Sequence, residues 1–169
     1  MQNWEDLYLE HAQMITEKIP EVRWVDLWHN QVNFLTEEHP FPTPATFLSY
    51  RILKTKDVGN KVQEVTLQVD AYFYYETFAD TYVGGINQES ALDFVRVNGK
   101  IYAIFQATDG ENYSSMTRIG FGPVDTGNAG NLYRTSFSCI VMDYSALKAY
   151  DDHELDEIEI EQSDTPYQL

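Results

Sequence analysis

Four histidines, one cysteine and 27 carboxylates are the side chains of this sequence most often recruited to bind a metal or move a proton. Imidazole ligation from one element needs a spacing such as His-x-x-x-His. His11, His29, His39 and His153 show none, and no cysteine or second histidine lies beside any of them. His11 falls at the edge of an apolar helical face and reads as structural. His29 and His39 share a loop region and could meet there as a metal or acid–base pair, although nothing in their spacing asks for one. Cys139 sits in the strand-like run Ser136-Phe137-Ser138-Cys139-Ile140-Val141, with no base or cation among its neighbours. A buried thiol of this kind packs as a small apolar group, whereas a reactive one needs an electropositive, accessible setting. No Gly-x-Ser-x-Gly elbow is present. Gly120-Phe121-Gly122 and Gly127-Asn128-Ala129-Gly130 lack the Lys and Ser/Thr of a phosphate loop and read as turn glycines. Asp70, Glu76, Asp80 and Asp93 have no diagnostic spacing, so no dyad is named. Asn112-Tyr113-Ser114 matches a glycosylation acceptor without an export signal to go with it. The residues assign no catalytic group, no metal ligand and no cofactor, and the chain does not read as an enzyme.

Two other groups of side chains are suited to contact another protein. The first is the aromatic run Tyr72-Phe73-Tyr74-Tyr75, with Phe78 and Tyr82 beyond it. One face of such a strand end can be core; the other needs cover, and Tyr is favoured at protein contacts. Core and subunit interface both stay open for it, and Tyr72, Tyr74, Tyr75, Phe78 and Tyr82 are the interface candidates. The second group is the last 19 residues, 151–169, which hold eight acids, no Lys or Arg, and half of the net charge of −16. This segment reads either as a solvated acidic tail or as an arm that docks on a neighbouring subunit. Leu155, Ile158 and Ile160 motivate the arm, because a solubilising tail has no need of spaced aliphatics. Ile158-Glu159-Ile160 alternates as an edge strand does.

Elements must position these surfaces, and the composition allows them. The 169 residues are 43% apolar and 14% aromatic, enough to offset the ordering entropy of one domain. We assign residues 1–150 to a single domain and 151–169 to the acidic arm. An isoelectric point near 4.4 argues against a nucleic-acid-binding surface and against docking on anionic membranes. Apolar runs such as Ala103-Ile104-Phe105 are far shorter than the ~20 residues a spanning helix needs. The acidic start lacks the features of a signal peptide. One cysteine excludes an internal disulfide framework. These features predict a protein made and used in a cytoplasm, or in a particle assembled there.

Trp4, Leu7, Tyr8, His11, Ile15 and Ile19 recur every three or four residues and predict a helix over 3–19, ended by Pro20. Aromatic and β-branched content predicts a strand over 22–28. Pro40, Pro42 and Pro44 make 29–44 an irregular connection. Residues 45–53 and 61–75 read as an antiparallel hairpin with a turn over 54–60. Residues 87–106 read as helical, with a possible break at Asn98-Gly99. Residues 113–121 and 132–142 read as two more strands, joined by the loop 122–131. The order α-β-β-β-α-β-β predicts an α+β fold: one mainly antiparallel, mixed sheet of about five strands packed by two helices.

The layout resembles a known family. A helix ending Lys18-Ile19-Pro20-Glu21 runs into Val22-Arg23-Trp24-Val25-Asp26-Leu27-Trp28. Asn30-Gln31 follows, then the proline-bracketed His39-Pro40-Phe41-Pro42-Thr43-Pro44-Ala45 opening Thr46-Phe47-Leu48, and after a turn Val62-Gln63-Glu64-Val65-Thr66-Leu67-Gln68-Val69. The later helix around Ser90–Phe105 and the strand ending Phe137-Ser138-Cys139-Ile140-Val141-Met142-Asp143 fit as well. Over residues 5–145 this resembles the tail-terminator and tail-completion proteins of bacteriophages and prophages, particularly those of Bacteroides-type hosts. The match lies in element order and general sequence character, and no single motif in it is specific. The resemblance implies a structural virion protein assembled in the bacterial cytoplasm. Its subunits form a homo-oligomeric ring, commonly a hexamer, that closes the tail tube and joins it to the head-completion and connector proteins. DNA passes its acidic lumen without specific binding. The acidic extension after residue 150 departs from the family and leaves open a neck protein of different symmetry in a short-tailed phage. Two other classes stay open: an acidic monomeric binding module such as a DNA mimic or inhibitor, and a small enzyme with a deep pocket of paired carboxylates or His29 and His39.

Overall fold

The computed structural model describes residues 4–34, 41–76, 81–127 and 130–147. The fold is α+β, one mixed five-stranded sheet with two principal helices. Helix α1, Trp4–Lys18, buries Leu7, His11 and Ile15, each four residues from the next and so on one face. Glu5 and Asp6 in its first turn and Lys18 in its last complement the helix dipole. The turn closes with the Ile19 N–H donating to the Ile15 carbonyl at 2.9 Å, and Pro20 prevents a further one.

Strand β1, Trp24–Leu27, is shorter than the predicted 22–28 and pairs parallel to strand β2, Ala45–Gly59, from Trp24 opposite Ala45 to Leu27 opposite Leu48. A parallel partner forces the chain to return to its starting end. That explains the long proline-bracketed connection, in which a 3₁₀ turn forms over Gln31–Phe34. Gln31 fastens its start, donating to the Leu27 carbonyl and accepting from the His29 N–H, both at 2.7 Å. Strand β3, Val62–Tyr75, returns antiparallel to β2. The predicted turn over 54–60 is incorrect: β2 runs on to Gly59, with Lys54, Thr55 and Lys56 opposite Thr66, Val65 and Glu64 after a register shift at Leu53. The turn itself is Asn60-Lys61, both at positive φ (50° and 61°), as a two-residue hairpin loop requires.

The predicted single helix over 87–106 is two, α2 (Gln88–Ala91) and α3 (Asp93–Phe105). The break falls at Leu92. Asn98-Gly99 does not interrupt α3, because the Asn98 amide donates to the Phe94 carbonyl at 3.1 Å and stays within the helix. Strand β4 is Thr117–Val124, not 113–121. Residues 113–116 lie before it, tied to the preceding turn by the Gly110 N–H to the Tyr113 carbonyl and the Met116 N–H to the Thr108 carbonyl, and to Ile140 by the Ser114 N–H. Strand β5, Asn131–Asp143, pairs antiparallel with both β3 and β4, so the order is β1-β2-β3-β5-β4 with β3 central. The predicted loop 122–131 accordingly shrinks at both ends.

Alternation along β3 sends Val65, Leu67, Val69, Ala71 and Phe73 to the helix side. There they meet Ile15 of α1, Ile101 and Phe105 of α3, and Phe137 and Cys139 of β5. A second, smaller core on the opposite face holds Val32, Ala45, Phe47, Tyr74 and Leu132, with Trp28 and Phe41 packed over it. Among the described residues no helix is long and apolar enough to cross a membrane.

Candidate functional site

The aromatic run divides by strand alternation. Tyr74 is 1% exposed and inside the second core, where Phe41 meets it edge-on at 5.8 Å. Tyr72 lies flat against Trp28, with centroids 4.3 Å apart and planes 7° apart. It also accepts a hydrogen bond from Arg134, opposite it on β5. Tyr75 points to the helix side, 6.3 Å from Phe94. These three rings are therefore engaged within their own chain. Tyr82 is exposed. Phe78, Leu155, Ile158 and Ile160 lie outside the described residues, as does the whole acidic segment 151–169.

Sequence reading missed a stronger feature beside Tyr82. Residues 81–87 form a turn held by its own bonds: the Gly85 N–H donates to the Tyr82 carbonyl, the Gln88 N–H to the Gly85 carbonyl, and the Gly84 N–H to the Gln88 side chain. Gly84, at φ 88°, supplies the left-handed residue. The turn nevertheless presents Val83 at 92% and Ile86 at 95% exposure. Ordered backbone that holds two large aliphatics in water marks a contact surface better than scattered apolar residues do. The available signal was Tyr82-Val83-Gly84-Gly85-Ile86, apolar residues around a glycine pair.

A second open surface is the outer edge of β2. Partner strand β1 stops at Leu27, and the Trp28 N–H makes the last bond, to the Leu48 carbonyl at 2.8 Å. From Ser49 onward β2 pairs only with β3 among the described residues, and residues 51–59 are all exposed, Ile52, Leu53 and Val58 included. Where β1 ends, a cleft of about 550 Å³ opens between Trp4 and Tyr8 of α1 and Leu27, Trp28, Leu48 and Tyr50.

The polar groups with chemical potential are separated by the sheet. On the outer face the Asp70 carboxylate, 6% exposed, accepts from Gln68 Nε2 at 2.9 and 3.0 Å and from the Ser136 hydroxyl. Gln68 Oε1 accepts from Arg51 Nη2 at 2.7 Å, so one network spans β2, β3 and β5. A buried carboxylate needs such donors, and here they lock three strands together. No local pattern pairs Asp70 with Ser136, which is 66 positions away. His11 lies on the opposite, helix side, as predicted for a structural residue. Its Nδ1 shares a hydrogen bond of 3.1 Å with the Tyr50 hydroxyl, and Phe105 and Tyr113 meet the ring edge-on. Its Nε2 has no partner among the described residues. Burial lowers the imidazole from its usual 6.5 to about 3, so the ring is neutral. Burial likewise pushes the Cys139 thiol up to about 12, which removes its nucleophilic form at neutral pH. His29 faces the cleft beyond β1, while His39 lies outside the described residues. No group of three or more His, Cys, Asp or Glu among the described residues is arranged to hold a metal.

Compared with known protein-family models and with curated proteins, the chain matches none.

Proposed function

We propose that this chain is a structural subunit of a virion, a tail terminator or neck protein whose copies form a ring that closes the tail tube and joins it to the head connector. The observation that carries the reading is the pair of exposed surfaces at opposite ends of β3 that have no partner among the described residues. The hairpin beyond Ile52 lies at one end and the turn bearing Val83 and Ile86 lies past the other. The thirteen steps of β3 separate those ends by roughly 43 Å at the usual rise per residue. Two different surfaces on one subunit are what a head-to-tail ring requires, since each interface joins unlike patches. A subunit placed between layers likewise needs contacts at both ends. The element order that resembles tail-terminator proteins supports the same reading, and a net charge of −16 suits a lumen through which DNA slides. The role proposed is assembly in the host cytoplasm and residence in the virion, with a hexamer as the favoured ring and no catalysis. Negative-stain images over rising protein concentration test it. Closed rings with a central opening are expected. Featureless single subunits throughout would refute ring formation and favour an acidic monomeric binding module.

A further inference from the structure

The register of the hairpin sorts the side chains of the open β2 edge. Arg51, Lys54 and Lys56 stand opposite Gln68, Thr66 and Glu64 of β3, on the outer face of the sheet. Ile52 and Thr55 stand opposite Leu67 and Val65, on the helix face. The edge therefore carries a basic stripe on one side, and Ile52 and Thr55 without charge on the other. With Lys61, this stretch of 11 residues holds four of the chain's 11 cations, in a molecule of net charge −16. Lysines on an edge strand normally repel unwanted strands. An acidic strand reverses that sign, so the edge discriminates between partners.

One segment of the same sequence has the complementary pattern. In Leu155-Asp156-Glu157-Ile158-Glu159-Ile160-Glu161, strand alternation would put Leu155, Glu157, Glu159 and Glu161 on one side and Asp156, Ile158 and Ile160 on the other. The chain also leaves the sheet in a suitable place. β5 ends at Asp143 opposite Gln63, which itself stands opposite Asp57 of β2, so the exit is at the hairpin end. From Leu147 to Leu155 the backbone can reach at most roughly 26–29 Å.

We infer that residues 155–161 of one copy add as a strand to the open β2 edge of the next, continuing the row that β1 leaves at Leu27. Main-chain bonds supply the attachment, and the Glu157, Glu159 and Glu161 carboxylates meet Arg51, Lys54 and Lys56. Donor and acceptor are different surfaces, so the exchange runs head to tail and can close a ring. The inference rests on the assembly reading above and names the contact that links its subunits.

Two full-length charge variants test it. The first, K54E/K56E, reverses the edge; the second, E157K/E159K, reverses the arm. All four positions are away from both cores or outside the described residues, and circular dichroism checks that each variant is folded. Each alone is expected to need a protein concentration about tenfold or more above wild type to assemble. An equimolar mixture is expected to assemble near the wild-type concentration, because each arm then finds an edge of opposite charge. If mixing restores nothing while the quadruple variant in one chain does, the segment binds its own β2 and the exchange is refuted. Wild-type assembly by both single-surface variants also refutes it, and leaves the ring reading intact. A wild-type chain that never assembles removes the ring reading and this inference with it.

Discussion

The buried imidazole of His11 ties stability to pH in a calculable way. Its side chain is fully buried, and burial holds the folded-state value near 3 against 6.5 in the unfolded chain. On acidification the unfolded chain takes up the proton first, so this group's contribution is complete above about pH 6.5 and is lost progressively as pH falls toward 3. Those two values give a loss of about 2 kcal/mol at pH 5 and roughly 3 kcal/mol at pH 4 relative to pH 8. That is a large part of the 5–15 kcal/mol typical of a small domain. Carboxylates titrate in the same range, so the comparison has to be with a variant. His11→Phe retains an aromatic ring against Phe105 and Tyr113 but gives up the bond to Tyr50. It should lose about 1–3 kcal/mol at neutral pH from the unpaired hydroxyl. Between pH 8 and pH 5, however, it should lose about 2 kcal/mol less than wild type does. Urea unfolding followed by tryptophan fluorescence measures both. Parallel pH profiles for the two proteins would refute the argument that His11 is held neutral.

Three further outcomes follow from the described contacts. Val83→Asp and Ile86→Asp should each leave the urea midpoint within about 0.5 kcal/mol of wild type, since both side chains are in solvent, while abolishing assembly in light scattering. Phe105→Ala should cost about 3–5 kcal/mol in the same urea assay, because Phe105 is fully buried between His11 and Phe137 and a cavity would replace it. Cys139 should react with Ellman's reagent only after denaturation, and stoichiometric labelling of the native protein within minutes would contradict its burial in the sheet.

Local periodicity carried most of the architecture. The four-residue recurrence of Leu7, His11 and Ile15 marks α1, and the alternation from Val65 to Phe73 marks the central strand and its buried side. The departures arose where tertiary pairing overrode local chemistry. Lys54, Thr55 and Lys56 read as a turn by composition and became strand because β3 offered Thr66, Val65 and Glu64 as partners. Asn98-Gly99 reads as a breaker, but the Asn98 amide bonded back to Phe94 and α3 continued. The parallel pairing of β1 with β2 could be inferred only indirectly, from the length of the connection that follows β1. The candidate contact surface was harder to read. Tyr72, Tyr74 and Tyr75 have the right residue type, but alternation and Trp28 commit them to their own chain. Val83 and Ile86 look ordinary in sequence and become conspicuous only when the turn bonds of Gly84 and Gly85 hold them in solvent.

The central claim, that this chain works as an assembled ring, is most directly tested by light-scattering mass across a concentration series. The account predicts a mass that rises from the 19.6 kDa subunit to a fixed multiple of it and then stops, as a closed ring must. A mass of one subunit at every concentration, or one that grows without limit, would contradict it.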